Sequence, residues 1–122
     1  MHIVFIAGPF RAKTPWGIEQ NVRKAEALAL KAWQAGFAVI CPHTNSRFFQ
    51  GAAPDGTWLR GYRQILRRCD AVLVVPGWAL SSGTLQEVAA ARSQGIPVCR
   101  SIRELTRVLG DPLKLLKTRK SR

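Results

Sequence analysis

Acidic residues are scarce in this chain: seven Asp and Glu stand against nineteen Lys and Arg, a net charge of +12 over 122 residues. No grouping of Asp, His and Cys has metal-ligand spacing, and no Ser–His–Asp arrangement appears. Nothing in the sequence calls for a metal or an organic cofactor. Long apolar runs are also missing. None approaches ~18 residues, so no membrane span is expected. The N-terminus has neither a basic leader nor a cleavage signature, and a cytoplasmic location is the default expectation. Cysteine is sparse and odd in number. Cys41, Cys69 and Cys99 fit neither a zinc site nor a disulfide framework and read as reduced, half-buried thiols. There is no internal repeat, no linker and no nucleic-acid-binding motif.

What the chain does have is a hydrophobic content of 47%, ordinary for a globular domain. A single domain is expected over residues 1–110, with a basic tail over 111–122. Lys114, Lys117, Arg119, Lys120 and Arg122 crowd that tail, with no acid after Asp111. Such a tail is either a solubilising end or a weak, non-specific contact for nucleic acid. The remaining positive charge favours a phosphorylated ligand.

Strands and helices alternate. Residues 2–7 are apolar almost throughout, as a strand buried on both faces requires, and Gly8-Pro9 breaks them. Thr14-Pro15 is an N-cap followed by Pro at the first helical position. A helix is expected from there to Ala35, with Ile18, Val22, Ala25, Ala29, Ala32 and Trp33 inward. Gly36 stops it, and residues 37–41 form a second strand. Strand, helix and strand within about forty residues make a right-handed βαβ unit.

A long loop to about Thr57 follows, carrying Asp55, Phe48 and Phe49. The two Phe form either a lid or a dimer contact. Trp58–Arg68 reads as a helix with Leu59, Tyr62, Ile65 and Leu66 on one face. Asp70 opens a third strand as a turn or cap residue. Trp58 and Trp78 serve either packing or base stacking. A helix after Gly83 turns Leu85, Val88 and Ala91 inward, Ile96–Cys99 is a short edge strand, and Ser101 with Glu104 is a capping box. The fold class is α/β: a Rossmann-like (flavodoxin-like) open parallel sheet of four to five strands with helices on both faces.

In such sheets ligands bind beyond the carboxyl ends of the strands. Gly8-Pro9-Phe10-Arg11, Pro42-His43-Thr44-Asn45 and the stretch from Gly77 to Glu87 converge there. The ionisable groups they bring are Glu87, His43 and Arg11, with Asp55 arriving on the long loop. His43, like Asn45, either caps the strand end or lines a base pocket. Ser81-Ser82-Gly83 leads from a buried strand into a helix N-terminus, a place for an anion. Glu87, placed in the first turn of that helix, is expected to be ionised. A lone carboxylate, a guanidinium, small phosphate-cradling residues and aromatic walls suit a sugar phosphate bearing a planar base.

These segments, taken in order with Asn21 and Cys69-Asp70-Ala71-Val72-Leu73-Val74, resemble the nucleoside 2-deoxyribosyltransferase superfamily. The resemblance spans about residues 2–100 and points to a poorly characterised branch found in bacteria and phages. The superfamily also holds nucleoside 5′-monophosphate N-glycosidases. It implies a five-stranded sheet, a homo-oligomer, and cleavage of an N-glycosidic bond by a glutamate nucleophile, which by position is Glu87. It also implies that Gly8, Pro9, Phe10 and Arg11, with Ser81, Ser82 and Gly83, hold a 5′-phosphate, while His43, Asn45 and Trp78 contact the substrate.

Phe5 stands where the family's first strand often has a tyrosine, and its missing hydroxyl relaxes discrimination against ribose. Tyr62 stands where an aspartate usually handles the base. Tyr62 and Asp55 are then the candidates to replace it. The alternative is a chain that binds nucleotide as a sensor or accessory factor and has lost catalysis.

Overall fold

The structure, a computed structural model, describes residues 1–114; the basic residues beyond Lys114 lie outside them. Its centre is a four-stranded, fully parallel sheet in the order β2-β1-β3-β4. The strands are β1 (Ile3–Ala7), β2 (Ala38–Ile40), β3 (Ala71–Val74) and β4 (Val98–Cys99). Among the described residues there are four strands rather than the five implied by resemblance. The β1–β2 crossover is α1 (Pro15–Gln34). The β2–β3 connection holds α2 (Pro42–Asn45) and α3 (Asp55–Arg67). The β3–β4 crossover is α4 (Ser82–Ser93), and α5 (Ile102–Leu109) follows β4.

Side chains alternate across the sheet with the two-residue period of a strand. Val4, Ile6, Ala71 and Leu73 face one way and pack with Ala25, Ala29 and Ala32 of α1 and Leu105 of α5. Phe5, Ala7, Val72 and Val74 face the other way and pack with Leu66 of α3 and Val88 and Ala91 of α4. Helices therefore cover both faces. The chain leaves β1 for β2 on one side of it, and from β2 crosses back over β1 to β3 on the other side. A crevice opens where their carboxyl ends diverge.

The caps are those the sequence announces. Thr14 Oγ1 accepts from Gly17 N at 3.0 Å, with Pro15 at the first helical position. Ser101 Oγ accepts from Glu104 N at 3.1 Å, while Glu104 reaches back to Arg100 N at 3.0 Å. Asp70 is a strand-end cap: its Oδ2 accepts from Ile3 N at 2.7 Å.

Five expectations need correction. Trp33 is not core but 54% exposed. The buried stripe Val22, Ala25, Ala29, Ala32 already fills the face of α1, and Trp33 lies about 100° around the helix from Ala32. Leu85 is exposed for the same reason, with Thr84 taking the buried position beside Val88 and Ala91. On α3, Leu59 and Ile65 stay exposed, Leu59 at the cleft, and Leu66 is buried. The long loop is shorter than expected. Pro42 opens α2, and α3 begins at Asp55, so Asp55 belongs to a helix. The three cysteines are free and buried rather than half-buried.

Gly8 has a steric reason. A Cβ there would lie 2.5 Å from Val75 Cγ2, because the ends of β1 and β3 pass this closely. That contact lets the chain after β1 turn directly over the crevice.

Candidate active site

The crevice is a cleft of about 750 Å³, within the range of small-molecule sites. One wall is the β1–α1 turn, Gly8 to Arg11. Its shape is set by Asn21 of α1, whose Nδ2 donates to Phe10 O at 3.0 Å and Arg11 O at 3.4 Å. His43 of α2 secures the same turn from below. It is 6% exposed and its Nε2 lies 2.9 Å from Pro9 O. A carbonyl only accepts, so Nε2 carries the proton. Burial lowers the pKa of the ring, which fits a neutral imidazole. Its edge meets Phe10 at 6.0 Å.

The second wall is α3. Asp55, Trp58, Leu59, Tyr62 and Arg63 all face the cleft, spaced by three and four along the helix. The Tyr62 phenol lies 2.6 Å from Ser46 Oγ and 3.3 Å from Pro42 O, and accepts from Asn45 Nδ2 at 3.2 Å. It is tied to α2. Asp55 Oδ2 lies 2.6 Å from Arg11 Nη2, joining the two walls.

The third wall is the start of α4. Ser81 is its N-cap, with Oγ accepting from Thr84 N at 3.3 Å. Ser82 and Gly83 are helical, so the expected loop is the first turn itself. Glu87 lies beyond that turn, out of reach of most of the dipole. It lines the cleft, half-buried, and burial raises its carboxyl pKa from 4.5 to about 7 against the opposing charge of Arg63. The expectation of an ionised first-turn carboxylate is therefore corrected. Lost hydration outweighs the neighbouring guanidinium.

Of the residues singled out from sequence, Gly8, Pro9, Phe10, Arg11, His43, Asp55, Tyr62, Ser81, Ser82, Gly83 and Glu87 come together at the cleft. Three do not line it. Phe5 is fully buried beneath, edge-on to Tyr62 at 6.4 Å. Asn45 borders a second groove with Leu30 and Trp33, while its Nδ2 holds the Tyr62 phenol. Trp78 packs into the core beneath α3 and α4.

Trp58 lines the cleft instead, its ring 5.9 Å from Phe49. Lys24, Arg63, Gln86 and Thr84 are further lining residues that sequence reasoning missed. Helical spacing from Asp55 would have found Arg63, and spacing from Asn21 would have found Lys24. Thr84 is 1% exposed and its hydroxyl has no partner among the described residues. Also among them, no helix is long and apolar enough to cross a membrane, and no three of His, Cys, Asp and Glu gather as a metal would need.

No curated protein matches this chain in sequence. Among solved structures it is similar to a 2-deoxyribosyltransferase from the psychrotolerant bacterium Bacillus psychrosaccharolyticus. The TM-score is 0.58 at 19% identity, covering 79% of this chain and 69% of that one. At that identity the likeness establishes a shared α/β fold. A family model described as a domain of unknown function, DUF7768, matches residues 2–101, and the chain belongs to that family.

Proposed function

We propose that this protein cleaves the N-glycosidic bond of a nucleoside or nucleotide, by hydrolysis or 2-deoxyribosyl transfer, with Glu87 as nucleophile and a 5′-monophosphate as the favoured substrate. One observation carries the reading. A single poorly hydrated carboxylate faces a cleft whose other ends hold a guanidinium and a helix N-terminus. The similarity in fold to a 2-deoxyribosyltransferase supports it.

The chemistry follows from what an anomeric centre needs. As the bond from C1′ to the base nitrogen stretches, C1′ becomes electron-poor, and a Glu87 carboxylate oxygen bonds to it. The base leaves with the electron pair of the broken bond and takes up a proton. Water then attacks C1′ of the glycosyl ester, releasing free sugar and Glu87. Attack by a second base nitrogen gives transfer instead. A developing cation beside Glu87 favours its ionised form, offsetting the burial that raises its pKa.

Arg11 and the first N–H groups of α4, with the Ser81 and Ser82 hydroxyls, are suited to the 5′-phosphate. Tyr62 is the group on the α3 wall assigned to the leaving base. Its phenol must exchange its bond to Ser46 to reach it.

The second reading, a nucleotide-binding sensor without turnover, draws on Phe5, which brings no hydroxyl toward Glu87, and on the engaged Tyr62 phenol. We carry forward as proposals a homo-oligomer, a cytoplasmic location, one domain over residues 1–110, and weak nucleic-acid contact through the tail.

The two readings separate in one assay. Ribo- and deoxyribonucleosides and their 5′-monophosphates are incubated with the protein, with and without an acceptor base. Base release is expected, highest with a monophosphate, and rising with pH through about 7 as Glu87 ionises. Saturable binding with no released base from any member would leave the sensor.

A further inference from the structure

We infer that Asp55 is a specificity-determining residue that competes with the substrate phosphate for Arg11. The inference rests on the nucleotide reading above and adds to it. The Arg11 guanidinium is already occupied: its Nη2 lies 2.6 Å from Asp55 Oδ2, across 44 residues of chain and from one cleft wall to the other. Both residues line the cleft. An incoming phosphate therefore meets a preformed ion pair and must take the guanidinium from a carboxylate.

The local structure makes that exchange feasible on both sides. On the Arg11 side the backbone is held by Asn21 while the side chain is 71% exposed, so the guanidinium can swing without disturbing the turn. Asp55 is 56% exposed and begins α3. When Arg11 leaves, its carboxylate is still solvated and still faces a helix N-terminus, so it is not stranded. An exposed pair of this kind is weak. A phosphate that accepts two guanidinium N–H bonds and carries more charge displaces it.

Asp55 thereby sets a threshold. Ligands without a phosphate leave the pair intact, and a phosphate must overcome it. After reaction, Asp55 can reclaim Arg11 and help a sugar phosphate leave.

Calorimetric binding of a nucleoside 5′-monophosphate and of its parent nucleoside tests the inference, in a Glu87→Gln background so that nothing turns over. Asp55→Asn is expected to tighten monophosphate binding about two- to five-fold, the weight of an exposed pair, and to leave nucleoside binding unchanged. In an Arg11→Gln background the same substitution should have no effect on either ligand. An equal gain with and without Arg11 would show a general charge effect and overturn the inference. So would Arg11→Gln weakening the monophosphate while Asp55→Asn changes nothing. If Arg11→Gln leaves monophosphate binding unaltered, the phosphate reading itself falls. Thermal melts confirm that each variant is folded.

Discussion

Glu87→Gln is expected to lower base release by about 10³-fold or more while making the folded protein more stable above pH 7. The first effect follows from removing the only group assigned to form the covalent bond. An amide has the same shape and no nucleophilic oxygen of comparable strength. The second follows from the raised pKa.

Unfolded, the carboxyl titrates near 4.5; folded, near 7. The folded state holds the proton more tightly, so the advantage of the neutral form is fully present below pH 4.5 and is lost as pH rises through about 7. Wild type should thus lose on the order of 1–3 kcal/mol across that window, allowing for solvent at a half-buried site. Glutamine carries no charge to desolvate and shows no such loss. Thermal melts at pH 5 and pH 8 should give nearly equal midpoints at the first and a higher midpoint for the variant at the second. A variant less stable at pH 8 would mean that Arg63 or another contact holds the carboxylate favourably, and that burial is not what sets its pKa.

Phe5→Ala should cost about 3–5 kcal/mol, a large part of the roughly 5–15 kcal/mol that holds a domain of this size. Phe5 is completely buried in the central strand, with Tyr62 edge-on against it and Leu66, Val72 and Val88 in the same cluster. Its removal leaves a cavity under the floor of the cleft that neighbouring strands cannot fill without shifting. Trp33→Ala is the comparison. Trp33 is the larger side chain but 54% exposed on α1, and its loss should cost below about 1 kcal/mol. Urea denaturation of both variants tests the contrast. Equal costs would mean that Phe5 is not the packing residue described.

How much of this was legible in the chain varies with the kind of signal. Element types and the parallel sheet were, because Ile3–Ala7 and Ala71–Val74 are unbroken apolar runs and Thr14-Pro15, Gly36 and Ser101 punctuate the helices. The inward faces of α1 and α4 are set by rotation about the helix and not by apolar content alone. Trp33 and Leu85 are apolar, but Ala32 and Thr84 hold the inward angle. The site was legible where a strand end delivers residues directly, as with Gly8 to Arg11. On α3 it was legible at Asp55 and Tyr62 but not at Arg63, because the helix start at Asp55 depends on Pro54 and on turns that the loop sequence does not mark. The raised pKa of Glu87 was not legible, because its burial depends on three walls that meet only in the fold.

The central claim is that Glu87 becomes covalently bonded to the sugar. It is tested most directly by incubating the protein with a 2′-deoxy-2′-fluoro nucleoside 5′-monophosphate, whose electron-withdrawing fluorine slows breakdown of the glycosyl ester. Intact mass and peptide mapping then locate the adduct. The account predicts one sugar phosphate per chain, attached at Glu87 and absent from Glu87→Gln. Base release without any adduct, or an adduct on another carboxylate, would contradict it.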